Sequence, residues 1–184
     1  MKIVIASDIH GSEKYTEELV KRIEEEKPDR VLLLGDLLYH GPRNDLPCGY
    51  QPKRVIEILN GMKERLFCVR GNCEAEVDQM VLSFPVMADY AVIPVKNRMI
   101  YATHGHNYSQ TTPPPLMKGD ILLAGHTHIP KCEMCEGFIY MNPGSVSIPK
   151  NGSEHSYMTY EDGVFQWKKL FGGETYMRYS IENA

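Results

Sequence analysis

Five aliphatic runs, each four residues long and each followed closely by a metal-capable side chain, constrain this 184-residue chain more than any other feature. Ile3-Val4-Ile5-Ala6 leads to Asp8 and His10. Val31-Leu32-Leu33-Leu34 leads to Gly35 and Asp36. Leu66-Phe67-Cys68-Val69 leads to Arg70, Gly71 and Asn72. Met99-Ile100-Tyr101-Ala102 leads to His104, and Ile121-Leu122-Leu123-Ala124 leads to His126 and His128. Runs of this length and composition suit strands buried on both faces.

Helical patterns separate the early runs. Across residues 12–27, Tyr15, Leu19, Val20 and Ile23 share one face. Across 52–64, Val55, Ile56, Leu59 and Met62 do the same, with Pro52 suited to the first turn. A short third helix is expected to carry Val77, Met80 and Val81. Strands alternating with helices imply βαβ crossovers. Towards the end, residues 138–141, 157–160 and 164–170 read as later, partly antiparallel strands. Glu161-Asp162-Gly163 reads as a hairpin turn. The TTPPP stretch at 111–115 reads as a surface loop. The expectation is a single α/β domain over residues 1–184, a sandwich with helices outside.

Composition narrows the function classes. Apolar residues make up 42% and charged residues 24%, which suits a globular chain rather than a disordered one. The net charge of -4 and the lack of a Lys/Arg stripe argue against a partner made of duplex nucleic acid. No apolar run approaches the ~18 residues of a membrane span, and the first run is too short for a signal peptide. Five scattered cysteines argue against a disulfide framework and for a reducing cytoplasm.

Ligands of such sheets bind beyond the carboxyl ends of the strands, where this chain concentrates its donors. Six of the seven histidines lie in or beside those segments. Oxygen and imidazole donors without paired thiolates suit Mn²⁺, Fe²⁺ or Zn²⁺ better than Ca²⁺ or a zinc–sulfur site. Asp8 with His10, and His126 with His128, share an i, i+2 spacing. Asp36 is the best placed carboxylate to bridge two ions. Arg70 and Arg43 either contact an anion or order the surface, and His40, four residues after Asp36, either faces a ligand or does not. Cys132 and Cys135 read as loop thiols, and His155 as an exposed residue.

The segments Asp8-Ile9-His10, Gly35-Asp36, Gly71-Asn72-Cys73-Glu74, Thr103-His104-Gly105-His106 and Gly125-His126-Thr127-His128 together resemble the calcineurin-like metallophosphoesterase superfamily. The stretches GPRNDLP, RGNCEAEVDQM and NPGSVSIPK are similar to a branch of small bacterial phosphodiesterases, the YfcE type. The resemblance implies a four-layer α/β/β/α sandwich of two mixed β-sheets flanked by helices. It implies a first metal held by Asp8, His10, Asp36 and His128. A second metal would be held by Asp36, Asn72, His104 and His126. It also implies hydrolysis of a small phosphoester, often with Mn²⁺, through attack of a metal-bridging hydroxide. Ni²⁺, Fe²⁺ and Zn²⁺ are alternatives. Two ions about 3.5–4 Å apart activate a water, polarise the phosphoryl oxygens and align attack. Family analogy also points to a homo-oligomer.

Cys73 departs from the family, whose members mostly carry histidine there as an acid or transition-state stabiliser. A thiol is a poor acid toward an alkoxide. The implied consequence is slow turnover or a preference for good leaving groups, with His106 or His40 as candidate substitutes. The rival reading is a weakly active or inactive scaffold that binds protein partners, like the retromer small subunit of the same fold.

Overall fold

The aliphatic runs do pair as strands, and their alternation sets what lies on either side. The computed structural model describes residues 1–181. In chain order it contains β1 (Lys2–Ala6), α1 (Glu13–Glu26), β2 (Arg30–Leu33), α2 (Pro52–Gly61), β3 (Leu66–Cys68), α3 (Glu76–Val81) and β4 (Tyr90–Val95). There follow β5 (Arg98–Thr103), β6 (Asp120–Ala124), β7 (Lys131–Met134), β8 (Phe138–Asn142), β9 (Ser156–Glu161), β10 (Val164–Lys169) and β11 (Thr175–Ser180). Two mixed sheets result, ordered β11-β10-β9-β1-β2-β3 and β4-β5-β6-β8-β7.

Each sheet has a block of three parallel strands, at one end of the first sheet and in the middle of the second. β1, β2 and β3 run parallel, with Val4 opposite Val31 and Leu33 opposite Cys68. β5, β6 and β8 run parallel in the second sheet. Parallel neighbours end at the same edge, so the loops after these strands gather there. The antiparallel strands extend each sheet: β9, β10 and β11 in the first, β4 and β7 in the second.

Side-chain alternation builds the layers. Val4, Ala6, Val31 and Leu33 face α1 and α2, meeting Leu19, Ile23, Val55 and Leu59. The alternate residues, Ile3, Ile5, Leu32 and Leu34, face the second sheet and meet Ile121, Leu123, Ile139 and Met141. Trp167 and Phe165 of β10 join this inter-sheet layer. Burying a side chain such as Leu or Ile contributes about 1.5–3 kcal/mol, so a one-residue slip of β1 would exchange two buried faces at high cost. The outer face of the second sheet carries Leu122, Ala124, Phe138 and Tyr140, with Leu116 of the 104–119 segment packed against it.

Local signals set the helix ends. Ser12 Oγ accepts from the Tyr15 N–H at 3.4 Å, and Lys27 closes α1 in the left-handed conformation. Pro52 opens α2. The expected helix over 52–64 stops at Gly61, and Lys63–Arg65 forms a 3-10 turn. Asp162 and Gly163 both have positive φ, which matches the twist of the β9–β10 hairpin.

Several expectations need correction. β4, β7 and β11 were not expected: each is an edge strand or lies beside open solvent, so no continuous aliphatic run marks it. Pro94 is tolerated in β4 because that strand pairs only with β5. The runs at 66–69 and 99–102 are not buried on both faces, since Phe67 is 56% and Met99 45% exposed. Cys132 belongs to β7 rather than to a loop. His155 is half-buried, stacked on Tyr15 at 4.2 Å and hydrogen-bonded to the Val146 carbonyl. No helix among the described residues is long and apolar enough to cross a membrane.

Candidate active site

The parallel strands of both sheets deliver their loops to one place. Asp8 and His10 follow β1, Asp36 follows β2, and Asn72 follows β3. His104 follows β5, while His126 and His128 follow β6. Backbone hydrogen bonds stitch these loops together. Asp8 N–H donates to the Gly35 carbonyl at 3.2 Å, His10 N–H to the Asp36 carbonyl at 2.9 Å, and Gly125 N–H to the His104 carbonyl at 2.8 Å. The segment after β8 ties the two sheets: Ser145 and Ser147 both donate their hydroxyls to the Asp8 carbonyl, at 2.9 and 3.0 Å.

The backbone here is strained. Asp8, His10, Asp36, His126 and His128 all have φ between 48° and 67°. Non-glycine residues in that region cost about 1–3 kcal/mol each and cluster where function requires them. Close approach does the rest. A side chain at Gly71 would collide with Asp36 Oδ1, and one at Gly125 with Ser7 Oγ.

The donor atoms converge in two overlapping sets. His128 Nε2 stands 3.2 Å and His10 Nε2 3.6 Å from Asp8 Oδ1, and the two imidazole nitrogens are 3.3 Å apart. Asp36 Oδ2 lies 3.7 Å from His10 Nε2 on one side and 3.4 Å from His104 Nε2 on the other. His104 Nε2 is 3.1 Å from Asn72 Oδ1 and 3.3 Å from His126 Nδ1. Metal bonds of about 2.0–2.2 Å place neighbouring ligand atoms about 3.0–3.5 Å apart. Asp8 Oδ1 is buried and accepts no hydrogen bond despite the two nitrogens beside it. The other oxygen, Oδ2, accepts from the His126 N–H at 3.1 Å, and a buried carboxylate oxygen left without a hydrogen bond fits a cation.

The ring orientations are fixed from behind. His10, His104 and His128 each donate Nδ1–H to a backbone carbonyl, of Tyr39 at 2.8 Å, Leu34 at 2.6 Å and Ile148 at 2.6 Å. That leaves each Nε2 facing the centre, the arrangement that orients metal-binding imidazoles. Burial pushes the Asp8 and Asp36 carboxyls up, but the facing imidazoles more than reverse it and hold both below the usual range. Burial lowers His104, yet Asp36 and Asp8 raise it to about 9. Burial and the neighbouring His104 push His126 down to about 4. The facing carboxylates thus favour the charged form of His104, and burial beside His104 favours the neutral form of His126.

The other candidates take distinct places. His106 stands beside His104 and His126, with ring centroids 5.5 and 6.3 Å away; burial and His104 lower its pKa. Cys73 donates its N–H to Asp36 Oδ1 at 2.9 Å, and burial together with Asp36 raises its thiol pKa. Arg70 is engaged with its own loop, donating to the Glu74 carbonyl at 3.2 and 3.3 Å. The His40 ring sits between Tyr39 and Tyr50 rather than against the donor atoms. A small cavity over the centre is lined by Asp36, Asn72, Cys73, His126 and His128, with Arg43 and Lys150 at its edge. A larger cavity of about 710 Å³ lies elsewhere, between Phe67 of β3 and Val92 of β4, so size does not locate the site.

Sequence reasoning missed two contributors. Lys150 comes from the NPGSVSIPK stretch, which stood out only as a similarity. Glu74 stood in the Gly71–Glu74 segment without a role; its buried carboxylate accepts from the N–H groups of Asp36, Leu37 and Gly71 at 2.8, 2.7 and 2.6 Å.

A strand-end cluster of this composition on a sandwich of two mixed sheets defines a metallophosphoesterase architecture. The chain belongs to the calcineurin-like phosphoesterase superfamily, whose domain model matches residues 1–162. It is 43% identical over 164 residues to phosphodiesterase YfcE of Escherichia coli strain K12, covering 89% of each chain. The solved structure of that E. coli phosphoesterase superposes with a TM-score of 0.95 at 40% identity, covering 98% of this chain and 100% of the other. The probable metallophosphoesterase YsnB of Bacillus subtilis is 28% identical, with 85% of this chain and 82% of YsnB covered.

Proposed function

We propose that this protein is a metal-dependent phosphodiesterase acting on a small phosphoester. The observation that carries the reading is Asp36 Oδ2, shared at 3.7 and 3.4 Å between the His10 and His104 nitrogens. One carboxylate oxygen standing between two donor sets suits two ions rather than one. Similarity to phosphodiesterase YfcE supports the reaction class.

Asp8, His10, Asp36 and His128 would hold the first ion, and Asp36, Asn72, His104 and His126 the second. Their oxygen and imidazole donors suit Mn²⁺, with Ni²⁺, Fe²⁺ and Zn²⁺ as alternatives. When bound, a two-metal pair supplies Lewis-acid charge and an activated water at neutral pH. The chain's own residues do the positioning. Nδ1 hydrogen bonds lock His10, His104 and His128, and Glu74 holds the loops of Asp36 and Asn72. Arg43 and Lys150, at the edge of the cavity, are placed to neutralise phosphoryl oxygens that do not react. The raised pKa of Cys73 keeps its thiol protonated and makes it a weak acid, so esters with good leaving groups react best. His106 is the nearest imidazole with no place in the two donor sets, and is assigned to the leaving-group side.

The complete donor set supports an enzyme rather than a scaffold, in which ligands would be free to drift. The test is hydrolysis of bis-p-nitrophenyl phosphate and p-nitrophenyl phosphate by metal-stripped protein supplied with Mn²⁺, Ni²⁺, Zn²⁺ or Mg²⁺. Metal-dependent release, greater from the diester, is expected. Asp36→Ala and His128→Ala should both abolish it while the circular dichroism spectrum stays native. Undiminished hydrolysis in both variants would overturn the site; no hydrolysis by folded, metal-loaded wild type would favour the scaffold.

A further inference from the structure

A second cavity, of about 370 Å³, is lined in part by residues that neighbour the candidate donor histidines in the chain. Gly105 and Thr127 line it; Gly105 lies between His104 and His106, and Thr127 between His126 and His128. The rest of the wall includes Ile129, Tyr140, Gln110 and Lys131. Its volume lies within the ordinary range for small-molecule sites, about 300–1,000 Å³.

Its chemistry differs from that of the cavity above the metal donors. That one has Arg43 and Lys150 at its edge and suits anionic oxygens. Here the surface is mostly apolar, and Lys131, the one cation on the wall, is already engaged. Its ammonium donates to Gln110 Oε1 at 2.8 Å and pairs with Glu133, while standing 5.9 Å from the Tyr140 ring centroid. Gln110 also donates to Glu133 Oε2 at 2.8 Å. A wall whose cation is neutralised by a carboxylate does not recruit an anion. It suits an uncharged, flat or aliphatic group packed against Ile129, with the 5%-exposed Tyr140 as part of the wall.

The geometry points to this cavity as the subsite for the retained organic arm of a phosphodiester, an aromatic or other uncharged group. The inference rests on the phosphodiesterase reading above. A monoester has no second arm, so the cavity would also be what separates diesters from monoesters. Tyr140 is anchored for that role: its hydroxyl accepts from Asn142 Nδ2 at 3.2 Å, and the same amide donates to Thr127 Oγ1 at 3.1 Å. The cavity floor is thereby tied to the loop that carries His126 and His128.

Filling the cavity tests the assignment. Ile129→Trp should lower the ratio of kcat/KM for bis-p-nitrophenyl phosphate to that for p-nitrophenyl phosphate at least tenfold. The ratio is internally normalised, because both substrates use the same centre and the same leaving group. Gln110→Trp, on the 104–119 segment, is the second variant if the first does not fold. An equal loss on both substrates, or an unchanged ratio in both variants, would overturn the proposal. NMR on the Zn²⁺-loaded protein, with ³¹P spectra showing that the ester is still intact, gives a readout of binding alone. Diphenyl phosphate should shift the Ile129 methyl and Tyr140 ring signals, and phenyl phosphate should leave them in place. Equal shifts from both ligands would overturn it. If wild type hydrolyses neither ester yet shows the diester-selective shifts, the catalytic reading falls and the cavity assignment stands.

Discussion

The backbone N–H of Asp36 donates to the Glu74 carboxylate at 2.8 Å, and the N–H of Gly71 donates to the same carboxylate at 2.6 Å. One buried side chain thus fixes the loop of the proposed bridging ligand relative to the loop of Asn72. Groups that hold metal ligands from behind typically change affinity 10–100-fold when altered. Glu74→Gln puts an amide N–H₂ where three backbone donors converge. The expected result, by isothermal titration calorimetry, is Mn²⁺ affinity reduced about 10–100-fold. Urea unfolding should show a loss of about 1–3 kcal/mol from the unsatisfied donors. Wild-type affinity in a folded Glu74→Gln protein would show that Glu74 does not position the centre.

Cys73 gives Asp36 its backbone N–H, which an alanine keeps, while its thiol stands beside Asp36 and its sulfur accepts from Asn72 Nδ2 at 3.3 Å, so removing the sulfur should cost little. Cys73→Ala is expected to keep kcat/KM for bis-p-nitrophenyl phosphate within about threefold. Cys73→His should raise hydrolysis of an alkyl ester, whose poor leaving group needs an acid, by about tenfold or more. No gain with the alkyl ester would mean that the missing imidazole is not what limits this chain.

Arg43 and Lys150 at the cavity edge should act on binding more than on chemistry. Arg43→Ala and Lys150→Ala are each expected to raise KM for the diester several-fold with kcat little changed. The difference from wild type should shrink as salt rises from low to about 0.5 M, since exposed charges are screened. A salt-independent fall in kcat would contradict that role.

A separate cluster governs acid stability. Glu26, at the end of α1, accepts from Lys168 of β10 and from the Tyr157 hydroxyl at 3.0 Å, and pairs with Lys2 of β1 at 2.7 Å. Burial pushes its carboxyl up, but the hydrogen bonds from Lys168 and Lys2 outweigh this and hold its pKa below the usual 4.5. A depressed folded pKa favours the folded state above the unfolded value. That contribution is lost as pH falls through the folded pKa. Glu26→Gln should therefore cost about 1 kcal/mol at pH 7, and the gap to wild type should close in acid. A gap that persists below the folded pKa would assign the loss to packing instead.

Metal loading should also register as stability. A ligand that binds only the folded chain stabilises it by RT ln(1 + [L]/Kd), about 2.7 kcal/mol at a hundredfold excess over Kd. Mn²⁺ is expected to raise the Tm of metal-stripped wild type, and EDTA to reverse it. Asp36→Ala should show a much smaller rise. An equal rise in that variant would place the bound Mn²⁺ elsewhere.

The fold was legible in the sequence where residues are buried on two faces. Strands β1, β2, β6 and β8 show as aliphatic runs because alternate side chains enter two different apolar layers. Edge strands β4, β7 and β11 do not, because one face or one side meets solvent and the composition is free to vary. The candidate ligands were legible because chemistry restricts them to Asp, Asn and His at strand ends. The sequence alone therefore determined the strand–loop rhythm, the donor types and the family. It does not contain the distances. Asp8 and His128 stand 120 positions apart in the chain, and only the packing of one sheet on the other brings them to 3.2 Å. Likewise the carbonyls of Leu34, Tyr39 and Ile148 that orient the imidazoles are backbone atoms, which every residue carries, so no side-chain pattern announces them. Glu74, Lys150 and the cavity behind Thr127 belong to the same class: their roles arise from long-range contacts, which depend on where loops meet in space.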